Sequence, residues 1–183
     1  MKYEVMHTKK WIGILLCVGI TLLAVVWGIL RWSEFRVTDL DISKVNVVED
    51  TEGYDWNIDG LRYGNMDLDD VGTSRGMIHM RGWFAVRGHQ AGKYELRVVL
   101  QNTETDRCYI VPTMPVKRED VSESLDDDGF YDNAGFEIKV PYSKKINADR
   151  YDYKIYILAD VDDVTRLVPL NTTVHSWSSD EEE

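Results

Sequence analysis

The stretch Met77-Ile78-His79-Met80-Arg81-Gly82-Trp83-Phe84-Ala85-Val86 sets the fold class of this 183-residue chain. Ile78, Met80, Phe84 and Val86 recur at every second or fourth position, and His79, Arg81 and Trp83 fall between them. A β-strand turns successive side chains to opposite faces, so this pattern reads as a strand with one apolar face and one wet face. On its C-terminal side, Tyr94 to Leu100 and Cys108 to Val111 read as two strands joined through the polar turn Asn102-Thr103-Glu104-Thr105-Asp106, a hairpin signature. Gly135 to Val140 supplies another strand. Tyr151 to Leu158 and Val164 to Leu170 form a second hairpin across Asp160-Val161-Asp162-Asp163. On its N-terminal side, Glu49 to Thr73 is rich in Asp, Gly and Asn and predicts loops with one short strand at Tyr54 to Ile58. Strand signals with little long helical periodicity predict a mainly β chain, an antiparallel Ig-like β-sandwich of about 7–8 strands.

The N-terminal part reads differently. From Trp11 to Leu30 twenty consecutive residues carry no formal charge, close to what a helix needs to cross a hydrocarbon core. Its aliphatic residues favour insertion by about 4 to 7 kcal/mol in sum, and Trp11, Trp32, Lys9, Lys10 and Arg31 mark its two ends. The run is longer than a signal-peptide core and lacks a small-x-small cleavage site. The expectation is therefore a transmembrane helix over 11–31 in contact with membrane lipid, after a short cytoplasmic tail over 1–10. Lys2, Lys9 and Lys10 before it tie with Arg31, Arg36 and Lys44 after it, so the count of basic residues does not decide orientation. The short basic tail argues for a cytoplasmic N-terminus, an extracytoplasmic C-terminal domain and a single-pass cell-membrane protein. Residues 32–73 then read as a stalk with irregular first strands, 74–175 as the sandwich core, and 176–183 as an acidic disordered tail.

Charge and cysteine content narrow the function classes. The first 36 residues hold five basic and two acidic side chains out of 21 and 32, leaving 16 and 30 and a formal charge of −14 from residue 37 onward. Such a field repels polyanions and disfavours nucleic acid as a partner, and it favours cations. Cys17 and Cys108 are the two cysteines, one in the apolar run and one in the domain, so no disulfide forms within the domain and packing must hold it. From Val37 to Val48 a broken alternation suits an opening strand or an extended stalk. From Val116 to Asn133 a turn-rich connection includes a short helical turn at Asp120 to Leu125.

The succession Gly82-Trp83-Phe84, Arg118-Glu119-Asp120-Val121 and Ala134-Gly135-Phe136 resembles a pattern in β-sandwich accessory domains of bacterial cell-surface enzymes that build polysaccharide and teichoic-acid-like polymers. The likeness covers roughly residues 77–170, rests on a G-W, R-x-D-V, G-F pattern, and departs from those enzymes in having no attached transferase domain. It implies a β-sandwich near the envelope and no reaction. The same residues also have a scaffold reading: Gly82 admits a bulky neighbour, Arg118 and Asp120 clasp each other or nearby backbone, and Gly135 permits a tight strand entry.

The loop Asp126-Asp127-Asp128-Gly129-Phe130-Tyr131-Asp132-Asn133 is the richest in chemistry. Asp126, Asp128 and Asp132 offer hard oxygen ligands for an irregular Ca²⁺ site, the one cofactor the residues suggest, although EF-hand spacing fails because Gly135 falls where a bidentate Glu belongs. The alternative is a solvated acidic loop. Trp83, Arg118, Asp120, Tyr131 and Asn133 are the expected ligand-binding residues, the aromatics suited to stacking on a sugar face. His7, His79, His89 and His175 are isolated from metal-ligand spacing, and no nucleophile elbow or phosphate loop is present. Two functional readings follow. One is a membrane-anchored, non-catalytic module that binds a partner protein or a glycan in cell-envelope polymer assembly. The other is a small enzyme or enzyme subunit that acts on surface polymers through the acidic loop at 126–133.

Overall fold

A computed structural model of the chain describes residues 17–28, 36–66, 74–125, 129–148 and 150–174. The chain divides into two units, Met1–Arg36 and Val37–Glu183. In the second unit the described elements are β1 (Thr38–Leu40), a 3-10 turn (Ile42–Lys44), β2 (Asn46–Val47), β3 (Tyr54–Met66), β4 (Ser74–Val86), β5 (Glu95–Asn102), β6 (Cys108–Val111), β7 (Thr113–Val116), a helical turn (Glu119–Ser124), β8 (Gly135–Pro141), β9 (Tyr153–Val161) and β10 (Val164–Val174). They form a six-stranded sheet in the order β1-β6-β5-β9-β10-β2 and a four-stranded sheet in the order β3-β4-β8-β7.

The alternation in β4 is what packs the two sheets. Ile78, Met80 and Phe84 are fully buried, and they share one core with Val98 and Leu100 of β5, Phe136, Ile138 and Val140 of β8, and Ile155 and Ile157 of β9. Each such side chain removed from water contributes roughly 1.5–3 kcal/mol. Both expected hairpins form: β5 pairs with β6 from Val98↔Val111 to Gln101↔Cys108, and β9 pairs with β10 from Val164↔Val161. At Pro112 the chain leaves the six-stranded sheet, and β7 joins β8 in the other. Thr113 Oγ1 accepts the N–H of Val98 at 2.8 Å, continuing the ladder where β6 departs.

Three expectations are corrected here. The strand at Tyr54 continues to Met66, pairing with β4 through two irregularities, at Ile58/Gly60 and Gly64/Met66. Asp59 is the extra residue of the first bulge. Gly82 lies opposite it, where a Cβ would stand 3.3 Å from the Cα of Ile58 and 3.0 Å from Phe136 Cζ, and nearer still to the carbonyl oxygen of Asn57. The second correction concerns Val37 to Val48, where the opening strand forms but the segment is a strap and not a stalk. β1 pairs antiparallel with β6 at one edge of the six-stranded sheet, and β2 pairs parallel with β10 at the other. Between them Leu40, Ile42 and Val45 cover Val99, Cys108, Leu158 and Leu167 on the sheet's outer face. The two short strap strands and the division of β6 from β7 bring the described strands to ten, above the seven or eight expected, and β2–β10 breaks the purely antiparallel pattern.

The third correction is to the membrane anchor. In the first unit the described helix, α1, covers residues 17–28. Among the described residues no helix is long and apolar enough to cross a membrane. That finding overturns the transmembrane helix at 11–31 and the single-pass localisation built on it. Residues 1–16 and 29–35, which include the expected cytoplasmic tail and both ends of that span, lie outside the described residues, as does the tail at 176–183.

Candidate functional site

The resemblance-bearing residues, far apart in sequence, meet in one place. Trp83 and Gly135 are register partners on β4 and β8, as are Gly82 and Phe136. The chain enters β8 from the connection after β7, where Arg118 N donates to the Asp132 carbonyl at 2.6 Å and Phe84 N to the Ala134 carbonyl at 3.0 Å. The helical turn Glu119–Ser124, now α2, carries Glu119 and Asp120 in its first turn and buries Val121 and Ser122. Val121 packs with Ala85, Ala91, Tyr131 and Ala134 in a small second core, against which half-buried Trp83 lies.

The Arg118 stem crosses Gly135. A Cβ on Gly135 would lie 2.5 Å from Arg118 Cγ and nearer still to the carbonyl oxygen of Val116. From there the guanidinium forks onto Asp120, with Nε to Oδ1 at 2.8 Å and Nη2 to Oδ2 at 2.6 Å, while Nη1 bonds Asp59 Oδ2 in the β3 bulge. The planar fork matches the carboxylate, which makes this a charge-assisted bidentate pair. Hydrogen bonding to Asp120 and then Asp59 raises the Arg118 pKa, and the bond from Arg118 holds the Asp120 carboxyl below its usual range.

This clasp forms one wall of a groove on the outer face of the four-stranded sheet. The groove has a cavity volume of about 510 Å³ and is lined by Asp59, Gly60, His79, Arg81 and Arg118. His79 Nε2 donates to Glu137 Oε1 at 2.7 Å, and Lys139 Nζ is 3.3 Å from the same oxygen. Burial raises the Glu137 pKa, but the bonds from His79 and Lys139 outweigh it and leave the carboxyl below its ordinary value. Arg81 stands opposite Gly60 on β3 and Glu137 on β8 in the register. It is exposed and has no ion-pair partner among the described residues.

No protein-family model, curated protein or solved structure matches this chain. What the site can do therefore rests on its own geometry.

Of the sequence-predicted ligand residues, Arg118 and Asp120 come together as the clasp, and Trp83 lies on the same sheet face as Arg81, two residues along β4. Tyr131 is buried instead: its ring meets Phe130 edge-on at 5.0 Å, and its hydroxyl oxygen accepts the Gly88 N–H at 3.4 Å. It therefore serves the small core. Asn133 sits beside Gly92 at a separate cleft of about 460 Å³ lined by Tyr94, Leu96, Thr113, Pro115 and Phe136. Of the Ca²⁺ candidates, Asp126 and Asp128 lie outside the described residues. Asp132 Oδ2 is 3.9 Å from Lys117 Nζ, and among the described residues no three acidic, His or Cys side chains cluster for a metal ion. Asp59 was missed because its role depends on a bulge. Its sequence signal, Asn57-Ile58-Asp59-Gly60, reads as a turn.

Proposed function

We propose that the β-sandwich is a non-catalytic binding module that takes up a glycan on the outer face of its four-stranded sheet. The observation that carries this reading is the Arg118 clasp standing in a groove on the face that also bears Trp83. Three of the five guanidinium N–H groups are engaged by Asp59 and Asp120, and both carboxylates keep acceptor capacity beyond those bonds. Donors and acceptors are thus fixed before a ligand arrives, and hydroxyl groups, which both donate and accept, suit such a wall because little ordering entropy remains to be lost on binding. An indole on the same face offers a flat apolar surface to the C–H side of a sugar ring. Of the residues that carry the resemblance to surface-glycopolymer accessory domains, Arg118 and Asp120 form this wall, and Gly135 makes room for the Arg118 stem. The enzymatic alternative calls for Asp126, Asp128 and Asp132 beside Arg118 in one cleft; Asp126 and Asp128 lie outside the described residues, and the Asp132 carboxylate neighbours Lys117 and does not line the groove.

The test is a glycan array probed with the full chain, with and without Ca²⁺, followed by Trp83→Ala. Binding that falls about fivefold or more in the variant, as the loss of about 1 kcal/mol of stacking requires, with a circular-dichroism spectrum that shows the fold retained supports the assignment. Capture of no glycan, or capture that Trp83→Ala leaves intact, refutes it.

A further inference from the structure

We propose that the glycan recognised in this groove carries an isolated anionic substituent, a carboxylate or a phosphate, held by Arg81. The inference rests on the glycan-binding reading and adds the chemical class of the ligand. It starts from the charges on this sheet face. Arg118 is committed to Asp59 and Asp120, and Arg87, in the turn that follows β4, is forked onto Asp55, with Nε and Nη2 each 2.7 Å from a carboxylate oxygen. Glu137, the cross-strand partner of Arg81, is taken by His79 and Lys139 instead. A carboxylate directly opposite an arginine is the ordinary means of neutralising it in a sheet. Here that carboxylate bonds its other neighbours, and the Arg81 guanidinium stays available in the groove of a strongly acidic domain. Its five donors in a rigid fork match a carboxylate or a phosphate better than any neutral hydroxyl.

The same charges limit how many anions the ligand can bring. Asp59 lines the groove with Arg81, Glu137 stands opposite it on β8, and the domain as a whole repels polyanions. At physiological ionic strength the Arg81 field is screened within about 8 Å, so one anionic group is attracted locally while a dense run of them meets like charge on both sides. Trp83 lies two residues from Arg81 on the same strand face, about 7 Å away. The anionic group therefore belongs on the sugar that stacks on Trp83 or on its immediate neighbour.

The experiment titrates the full chain with matched probes. A hyaluronan hexasaccharide, with one carboxylate per two sugars, is compared with the same oligosaccharide after carboxyl reduction. A mannose oligosaccharide bearing one phosphate is compared with its dephosphorylated form, and heparin serves as the densely charged probe. The expected result is a preference of about tenfold or more for the charged member of at least one pair, as a charge-assisted pair supplies. The pair that shows it tells carboxylate from phosphate. Arg81→Ala should abolish the preference and retain binding of the neutral member, and Arg81→Lys should restore part of it. Heparin should bind no better than the neutral probes. Equal binding of charged and neutral members, a preference that survives Arg81→Ala, or tightest binding to heparin overturns the inference and leaves the glycan reading standing. Binding of none of the probes overturns both.

Discussion

Replacing Gly135 with alanine puts a methyl group where the structure has no room for one. Gly135 does not have a positive φ, so what glycine supplies here is space rather than conformational freedom. The new Cβ would meet Arg118 Cγ at 2.5 Å, the Val116 carbonyl carbon at 3.2 Å and the Val116 oxygen more closely than either. Neither neighbour yields freely. The Val116 carbonyl belongs to the β7–β8 pairing, where Val116 is the register partner of Gly135, and the Arg118 stem is held at its far end by Asp120 and Asp59. Overpacking of this kind costs about 1–3 kcal/mol, and weakening a partly exposed ion pair adds about 1 kcal/mol at most. A gain of about 0.4–1 kcal/mol comes from the stiffer unfolded chain. Because neither neighbour yields, the overpacking sits in the upper half of its range, and the net expectation is a loss of about 1–3.5 kcal/mol, which lowers the melting temperature by about 3–12 °C in a domain of this size. Urea unfolding followed by circular dichroism measures it. Adding Arg118→Ala to Gly135→Ala should cost less than Arg118→Ala does alone, because one of the two obstacles is then gone. A Gly135→Ala variant within about 0.5 kcal/mol of the parent, or strict additivity with Arg118→Ala, would show that the stem does not rest on this glycine.

Two further outcomes follow from the packing and the charges. Leu158, buried under the strap, should cost about 2–4 kcal/mol when cut to alanine, whereas Ile42→Ala in the half-buried strap should cost less, about 1 kcal/mol; urea midpoints that rank them the other way would argue against the strap as a cover. The Asp55 carboxyl is held below its usual 3.8 chiefly by the hydrogen bond from Arg87. A lowered pKa contributes stability above the unfolded value and loses it as pH falls through the folded one. The stability gap between the parent and Asp55→Asn should therefore be full near neutrality and close below about pH 3.8. A gap that persists in stronger acid would mean that Asp55 acts through something other than its charge.

The chemistry of the site was more legible in the sequence than its membership. His79, Arg81 and Trp83 could be placed on one wet strand face by alternation alone, and Arg118 with Asp120 could be read as a clasp because an arginine two residues from an aspartate reaches it locally. Asp59 could not be included: a bulge in β3 turns it toward Arg118, and a bulge is set by pairing with β4, where Gly82 leaves the space for it. Tyr131 has the composition of a stacking residue yet lies inside, because the buried Val121 and Ala134 give its ring an apolar home. The length of β3 was underestimated for a related reason. Gly60, Gly64 and Asn65 are poor strand formers taken singly, and cross-strand pairing overrides that local preference.

Sequence alone determined that this chain is built from strands, which face of β4 is buried, and where both hairpins turn, since those properties depend on residues within a few positions of one another. The tertiary structure decided which strands are neighbours, that β6 and β7 fall in different sheets, that Val37 to Val48 spans an outer face, and that Arg81, in the groove beside the Arg118 clasp, has no ion-pair partner among the described residues. These depend on register between segments many residues apart. A shift of a single residue in pairing exchanges the two faces of a strand, and no local pattern carries that information.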